Sequence, residues 1–148
     1  HQYTEVSFLV GNITDFEFIE DDAVVAIHDA GRPLVSSELI TRSFLDAGLK
    51  GNAVCAVQSG DSVRRMIGSV SAAVNRQEVY LIQTPQTFES GMLKQAFKQP
   101  YRVSYTDDAS VVESSGTPIK LINGEKTNIK ITFPEDLAIA ELLMKNRA

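Results

Sequence analysis

The chain has 148 residues, 43% hydrophobic and 22% charged, which suits one folded domain with a real core. Its formal net charge of -5 argues against a broad nucleic-acid surface, which needs a basic face, and no apolar run is long enough to cross a membrane as a helix. Cys55 is the only cysteine, so an internal disulfide is excluded and a cytoplasmic location is expected.

In chain order, His1 stands first and nothing before residue 20 has the basic and apolar pattern of an export signal, so the chain is expected to begin inside a longer protein. Val6 to Val10 is a short apolar run, and residues 11–22 are polar without a clear period. Ala23 to Ile27 then reads as a buried strand that ends in charge at His28-Asp29-Ala30-Gly31-Arg32-Pro33. Ser36 or Ser37 caps a helix with Leu39, Ile40, Phe44 and Ala47 at helical spacing, and Gly48 or Gly51 ends it. A second strand at 53–58 makes Cys55 a buried strand residue, and the order strand, helix, strand predicts a parallel βαβ unit and a three-layer α/β fold.

Residues 59–77 change character: Gly60-Asp61 makes a turn, Arg64 and Arg65 add charge, and no helical stripe follows, so this stretch reads as an excursion or arm. Val79 to Gln83 returns as a strand that Thr84-Pro85-Gln86 is expected to break, and residues 90–98 form a helix burying Met92, Leu93, Ala96 and Phe97. Thr106-Asp107-Asp108 starts a short helix to about Ser115. Strands are expected at 119–122 and 128–131 around Asn123-Gly124, and a last helix starts at Thr132 to Glu135 with capping-box spacing and carries Leu137, Ala140 and Met144 on one face.

Several residues admit two readings on their own. In open α/β sheets ligands gather beyond the carboxyl ends of strands, so Asp29 there suits Mg²⁺ on nucleotide phosphates, or simply caps a turn. Arg32 forks onto a phosphate or onto Asp29. Thr84 and Thr106 present hydroxyls to a ligand, or serve as turn and cap residues. Lys130, between Ile129 and Ile131 in a strand, faces either a site or water, and Arg64, Arg65 and Arg76 suit a solvated surface. His28 is read as a packed or hydrogen-bonded strand histidine rather than a catalytic base and given no chemistry.

Taken in order, His28-Asp29-Ala30-Gly31-Arg32-Pro33, Gly60-Asp61-Ser62, Thr84-Pro85-Gln86, Thr106-Asp107-Asp108-Ala109-Ser110, Asn128-Ile129-Lys130-Ile131-Thr132 and Pro134-Glu135-Asp136-Leu137 resemble one family, 2-C-methyl-D-erythritol 4-phosphate cytidylyltransferase. The resemblance runs from about residue 23 to the end and implies a Rossmann-like nucleotidyltransferase fold of three layers, residues 1–148 forming one domain with a protruding dimerisation arm at about 59–77. It implies a homodimer that transfers CMP from CTP to methylerythritol phosphate with Mg²⁺ and releases pyrophosphate, in the non-mevalonate route to isoprenoids. Asp29 then falls at the metal- and nucleotide-facing aspartate, Ala30 at a nucleotide contact and Arg32 at the substrate-site arginine. Ser62 stands where the family usually has a threonine that meets the sugar phosphate. Arg76, delivered from a partner's arm, and Thr84 align with groups at the substrate phosphate, and Thr106 and Lys130 with the remaining substrate-site pair. On this alignment Lys130, Arg76 and Asp29 carry catalysis, which asks only that two anions be positioned and their growing charge neutralised.

The family's opening Gly-rich loop with its Arg and its Pro-Lys-Gln segment, which wrap the CTP phosphates, has no counterpart in these residues, and Gly11-Asn12 stands where a Gly-Gly and Arg stretch would seat cytidine. The fold is therefore expected to be incomplete at the N-terminus and these residues alone to be inactive. Two alternatives stay open at this point: a ribitol 5-phosphate cytidylyltransferase, and a non-catalytic module that binds sugar phosphate or dimerises.

Overall fold

A computed structural model describes residues 19–146. The apolar run at 6–10 and Gly11-Asn12 lie outside the described residues. The β-branched run gives β1 (Val24–Ile27), and α1 (Ser37–Lys50) follows. The Ser36 hydroxyl accepts from the Leu39 N–H at 3.0 Å to start α1, and Gly51 ends it at φ +86°, a backbone conformation open to glycine. The chain returns in β2 (Asn52–Gln58), which runs in the same direction as β1, as the strand, helix, strand pattern predicts.

The two strands are nevertheless not neighbours, and the sheet is mixed rather than parallel. β5 (Tyr80–Glu89) lies between them, antiparallel to both, and β6 (Leu121–Asn123) runs parallel to β2 on the far side, giving the order β1-β5-β2-β6. The expected break at Thr84-Pro85-Gln86 is a strand interior. Proline has no N–H to give the ladder, and the β2–β5 register shifts there, between Val54 and Ala56, before pairing resumes at Gln86. The Thr84–Pro85 peptide is cis.

Residues 59–77 form a two-stranded hairpin, β3 (Val63–Ile67) and β4 (Val70–Val74), turning at Gly68 with φ +60°, followed by a single 3-10 turn at Arg76–Glu78. Both faces of the hairpin are largely open, with Arg64, Arg65, Met66 and Ile67 all exposed, which is why the sequence carries no clean alternation there. α2 (Ser90–Phe97) and α3 (Asp108–Ser114) then cover one face of the sheet.

Strand alternation divides the core between the two faces. Val54, Phe88, Val25 and Ile27 pack with Leu93, Ala96, Ala109 and Val112 against α2 and α3. Ala53, Cys55 and Val24 pack with Leu39 and Ala47 of α1 on the other side. The result is the expected three layers, helix, sheet, helix. Burial pushes the Cys55 thiol up to about 12, so it is an inert core residue as its neighbours suggested.

Two expectations fail near the C-terminus, the strand at 128–131 and the helix cap at Glu135. Residues 128–131 are an extended loop rather than a strand, so Lys130 lies outside any sheet, and β6 is only three residues long. The loop is held by side chains instead of a ladder: Gln83 of β5 donates to the Glu125 and Asn128 carbonyls at 2.8 and 3.3 Å and accepts from the Glu125 N–H at 3.1 Å. On α4 (Pro134–Lys145), Ala140 is buried but Leu137 and Met144 are 54% and 59% exposed, because no described element covers that stripe. The α4 cap is closed by Asp136, not Glu135: its carboxylate accepts from the Thr132 and Phe133 N–H groups at 2.8 and 2.9 Å, and these bonds hold it below the usual carboxylate range. No helix among the described residues is long and apolar enough to cross a membrane.

Gly124 begins the loop, and its N–H donates to the Ala56 carbonyl at 2.7 Å. A Cβ there would stand 2.3 Å from Gln83 Oε1 and 3.2 Å from the Ala56 carbonyl. Gly124→Ala is expected to destabilise the fold by about 1–3 kcal/mol in chemical denaturation, because the buried Gln83 amide cannot swing away without releasing Glu125. An unchanged midpoint would show that the loop yields instead.

Candidate active site

Four pieces of chain meet beyond the end of β1 and enclose a cleft of about 440 Å³. The turn after β1 contributes Asp29 and Arg32, the irregular middle of β5 contributes Gln83, Thr84 and Gln86, the start of α3 contributes Thr106, Asp107 and Asp108, and the loop after β6 contributes Lys130. The interrupted ladder of β5 is thus the strand's contribution to the cleft wall.

Asp29 is the electrostatic centre. Its Oδ2 lies 3.1 Å from Lys130 Nζ and 3.6 Å from Arg32 Nε. The two cations differ in how they are held. Arg32 has a side chain only 12% exposed and donates from Nη1 to the Asn128 carbonyl at 2.8 Å and from Nη2 to the Ile82 carbonyl at 3.5 Å. Lys130 has a side chain 52% exposed. An incoming anion therefore meets a fixed guanidinium at the wall and an ammonium that can turn toward it.

Behind them runs a short chain of hydrogen bonds. The Asp29 N–H donates to Thr84 Oγ1 at 3.0 Å, Thr84 Oγ1 lies 3.0 Å from His28 Nδ1, and His28 Nε2 lies 3.0 Å from the Arg32 carbonyl. A carbonyl only accepts, so Nε2 carries the proton, and in the neutral ring Nδ1 accepts from the Thr84 hydroxyl. His28 thus acts on the site's shape by holding Thr84 and the Arg32 backbone.

Opposite, the fully buried Gln86 amide ties β5 to α3, donating to Asp107 Oδ2 at 2.9 Å and accepting from the Ala109 N–H at 2.8 Å. Asp107 also accepts from the Ser110 N–H at 2.9 Å, which fixes the first turn of α3 and with it Thr106. Burial, reinforced by the negative charge of Asp107, raises the Asp108 carboxyl to about 6. A carboxyl raised on folding binds its proton more tightly in the native state, so its contribution favours folding at low pH and is lost as pH rises from about 4 through about 6. Asp108→Asn is expected to remove that fall in stability across pH 4 to 6, measured as Tm against pH; an unaltered slope would assign it to another group.

Of the residues singled out from the sequence, Asp29, Arg32, Thr84, Thr106 and Lys130 line the cleft together. Ala30 sits exposed in the turn between Asp29 and Arg32. Ser62 and Arg76 do not line it: Ser62 is exposed at the base of the hairpin, and Arg76 is exposed and donates to the Gly60 carbonyl at 3.2 Å. Gln83 carries no role in the sequence reading, and Asp108 and Asn128 stand in its motifs without a role at the site. A glutamine among the apolar residues of a strand and an asparagine just before Ile129 were the available signals, and both read equally well as surface positions.

The family model for 2-C-methyl-D-erythritol 4-phosphate cytidylyltransferase matches residues 14–146. The chain belongs to this family. Among its relatives, the 2-C-methyl-D-erythritol 4-phosphate cytidylyltransferase of Bacteroides fragilis is 44% identical over 121 residues, 82% of this chain and 55% of the relative. That of Syntrophus aciditrophicus is 39% identical over 131 residues, 86% of this chain and 56% of the relative. The crystal structure of the Thermus thermophilus cytidylyltransferase superposes with a TM-score of 0.74 at 36% identity, covering 82% of this chain and 62% of that one. The Francisella tularensis structure does so with a TM-score of 0.77 at 29% identity, covering 88% and 64%. The chain thus spans little more than half the length of the curated relatives it matches, and its mixed sheet with helices on both faces is part of the cytidylyltransferase fold.

Proposed function

We propose that the protein containing these residues transfers CMP from CTP to the phosphate of 2-C-methyl-D-erythritol 4-phosphate and releases pyrophosphate. The observation that carries this reading is the meeting of Arg32 and Lys130 on Asp29 in one cleft, within a chain of this family. A phosphate oxygen of the polyol attacks the α-phosphorus of CTP; the new P–O bond forms as the bond to the bridging oxygen breaks, and pyrophosphate leaves with that electron pair. No protein nucleophile is needed. The obstacle is bringing two anions together, which Lys130 and Arg32 lower by holding the polyol phosphate, with Thr84 shaping the wall and Thr106 meeting the polyol. Ala30 lies beside the nucleotide in this reading, and Ser62 and Arg76 act on the polyol phosphate from the arm.

Mg²⁺ fits the donors present. The Asp29 carboxylate lines the cleft, and its side chain is 37% exposed. That donor set suits an ion that takes most ligands from phosphates and water and only one or two from protein carboxylates. Asp29 would hold it, and the bound ion would supply neutralisation of the triphosphate charge.

A homodimer built on the hairpin belongs to the same reading. It is supported by the exposed Met66, Ile67 and Val70 and by Arg76, which is exposed beside the hairpin and does not line the cleft of its own chain. A cytoplasmic location goes with a CTP-dependent reaction. The test is pyrophosphate release by the protein at its full natural length, from CTP with methylerythritol phosphate, with ribitol 5-phosphate, or with neither. Release dependent on methylerythritol phosphate is expected; preference for ribitol 5-phosphate would move the substrate, and binding without turnover would favour the module.

A further inference from the structure

We infer that Asn128 is a positioning residue for the cation side of this cleft, a role that rests on the transfer reading above. Asn128 is fully buried, and three of the pieces that build the cleft are joined through it. Its Nδ2 donates to the Thr84 carbonyl at 2.8 Å, which ties it to the middle of β5. Its own carbonyl accepts from Arg32 Nη1 at 2.8 Å and from Gln83 Nε2 at 3.3 Å. Its N–H donates to the Glu125 carbonyl at 3.0 Å, and three residues on, the Ile131 N–H donates to the Gly31 carbonyl at 2.7 Å. Lys130 lies between those two anchors.

A residue that merely filled this space would be apolar, because burying an amide costs free energy unless both of its ends are bonded. Asn128 Oδ1 is buried and has no hydrogen-bond partner among the described residues, so only the donor end of the side chain is used. That donor fixes where the Asn128 backbone sits relative to Thr84. The backbone in turn fixes the guanidinium of Arg32 and the takeoff of Lys130, both within 4 Å of one carboxylate oxygen of Asp29. The side chain touches no reacting atom in this scheme; it acts through Arg32, Thr84 and Lys130.

Asn52 provides a control of the same kind. It is 1% exposed and also ties a loop to the sheet, here through both ends of the amide, donating from Nδ2 to the Pro118 carbonyl at 3.1 Å and accepting on Oδ1 from the Lys120 N–H at 2.7 Å, but it does not line the cleft. The experiment compares Asn128→Ala and Asn52→Ala in the protein at its full natural length. Steady-state kinetics with CTP and methylerythritol phosphate are normalised to the folded fraction measured by circular dichroism. Both variants should melt lower than the parent. Asn128→Ala should lose about 10- to 100-fold in kcat/KM for the polyol phosphate, the loss expected when reacting groups are displaced by about an ångström. Its KM for CTP should change less than about threefold, and Asn52→Ala should keep the parental constants per folded molecule.

If Asn128→Ala does not accumulate as folded protein, Asn128→Ser, whose hydroxyl is too short to replace the bond to Thr84, is read against the same control. Parental kcat/KM in the folded Asn128 variants, or equal kinetic losses in Asn128→Ala and Asn52→Ala, would overturn the role. Absence of turnover in the parent protein with any polyol phosphate would instead overturn the transfer reading and this inference with it.

Discussion

Lys130→Ala is expected to lower kcat of the protein at its full natural length by about 100-fold or more, with little change in melting temperature. The size follows from removing a charge aimed at negative charge that builds up during the reaction, a loss usually in the range of about 10²–10³. Lys130 is the better placed of the two cleft cations for that task, since half of its side chain is open while Arg32 is committed to two backbone carbonyls. Stability should barely move, because the pair it makes with Asp29 is partly solvated, and such pairs contribute about 0–1 kcal/mol. Lys130→Arg should recover only part of the rate: it keeps the charge but exchanges a compact ammonium for a planar fork. A kcat within threefold of the parent, measured by pyrophosphate release at saturating substrates, would remove Lys130 from the chemistry.

The largest effect on stability is expected from Phe88→Ala, at about 3–5 kcal/mol. Phe88 is fully buried in β5, the strand that joins β1 to β2, and it pairs with Val25 on one side and Asn52 on the other. Its ring packs with Val54, Leu93, Ala96 and Val112, so truncation leaves a cavity between the sheet and α2 and α3. Alanine also removes Phe88's share of the packing between α2 and the sheet, and neither Val54 nor Val112 is large enough to fill the gap. Equilibrium urea unfolding should show the midpoint falling sharply. A loss below about 1 kcal/mol would mean that the layer collapses around the vacancy and that β5 is not the centre of the core.

The layers were legible because periodicity reports burial: alternating Ala53, Val54 and Cys55, and the helical spacing of Leu39 and Ala47, each sort to the faces where they lie. Pairing was not legible. Thr84-Pro85-Gln86 carries a strand-breaking proline, yet a strand passes through it, because the ladder needs no N–H where the register shifts. Residues 128–131 look like a strand in composition, yet buried amides of Gln83 and Asn128 replace the ladder, a substitution that no local pattern announces. The exposed stripe of Leu137 and Met144 on α4 shows the opposite failure, an apolar face with no described element over it.

The cleft was partly legible. Four separated motifs delivered Asp29, Arg32, Thr84, Thr106 and Lys130 to one place, which local propensity alone could not do. The amides and the raised carboxyl of Asp108 depend on contacts between residues far apart in the chain, such as Gln86 with Ala109, so only the folded structure reveals them.

The most direct test of cytidylyl transfer is to follow the reaction of the full-length protein with CTP, Mg²⁺ and methylerythritol phosphate by phosphorus NMR. Two coupled diphosphate resonances of a CMP-linked methylerythritol diester, appearing together with an equal amount of pyrophosphate, are the predicted result. Appearance of CMP or CDP with the polyol phosphate unchanged, or no consumption of CTP, would contradict it.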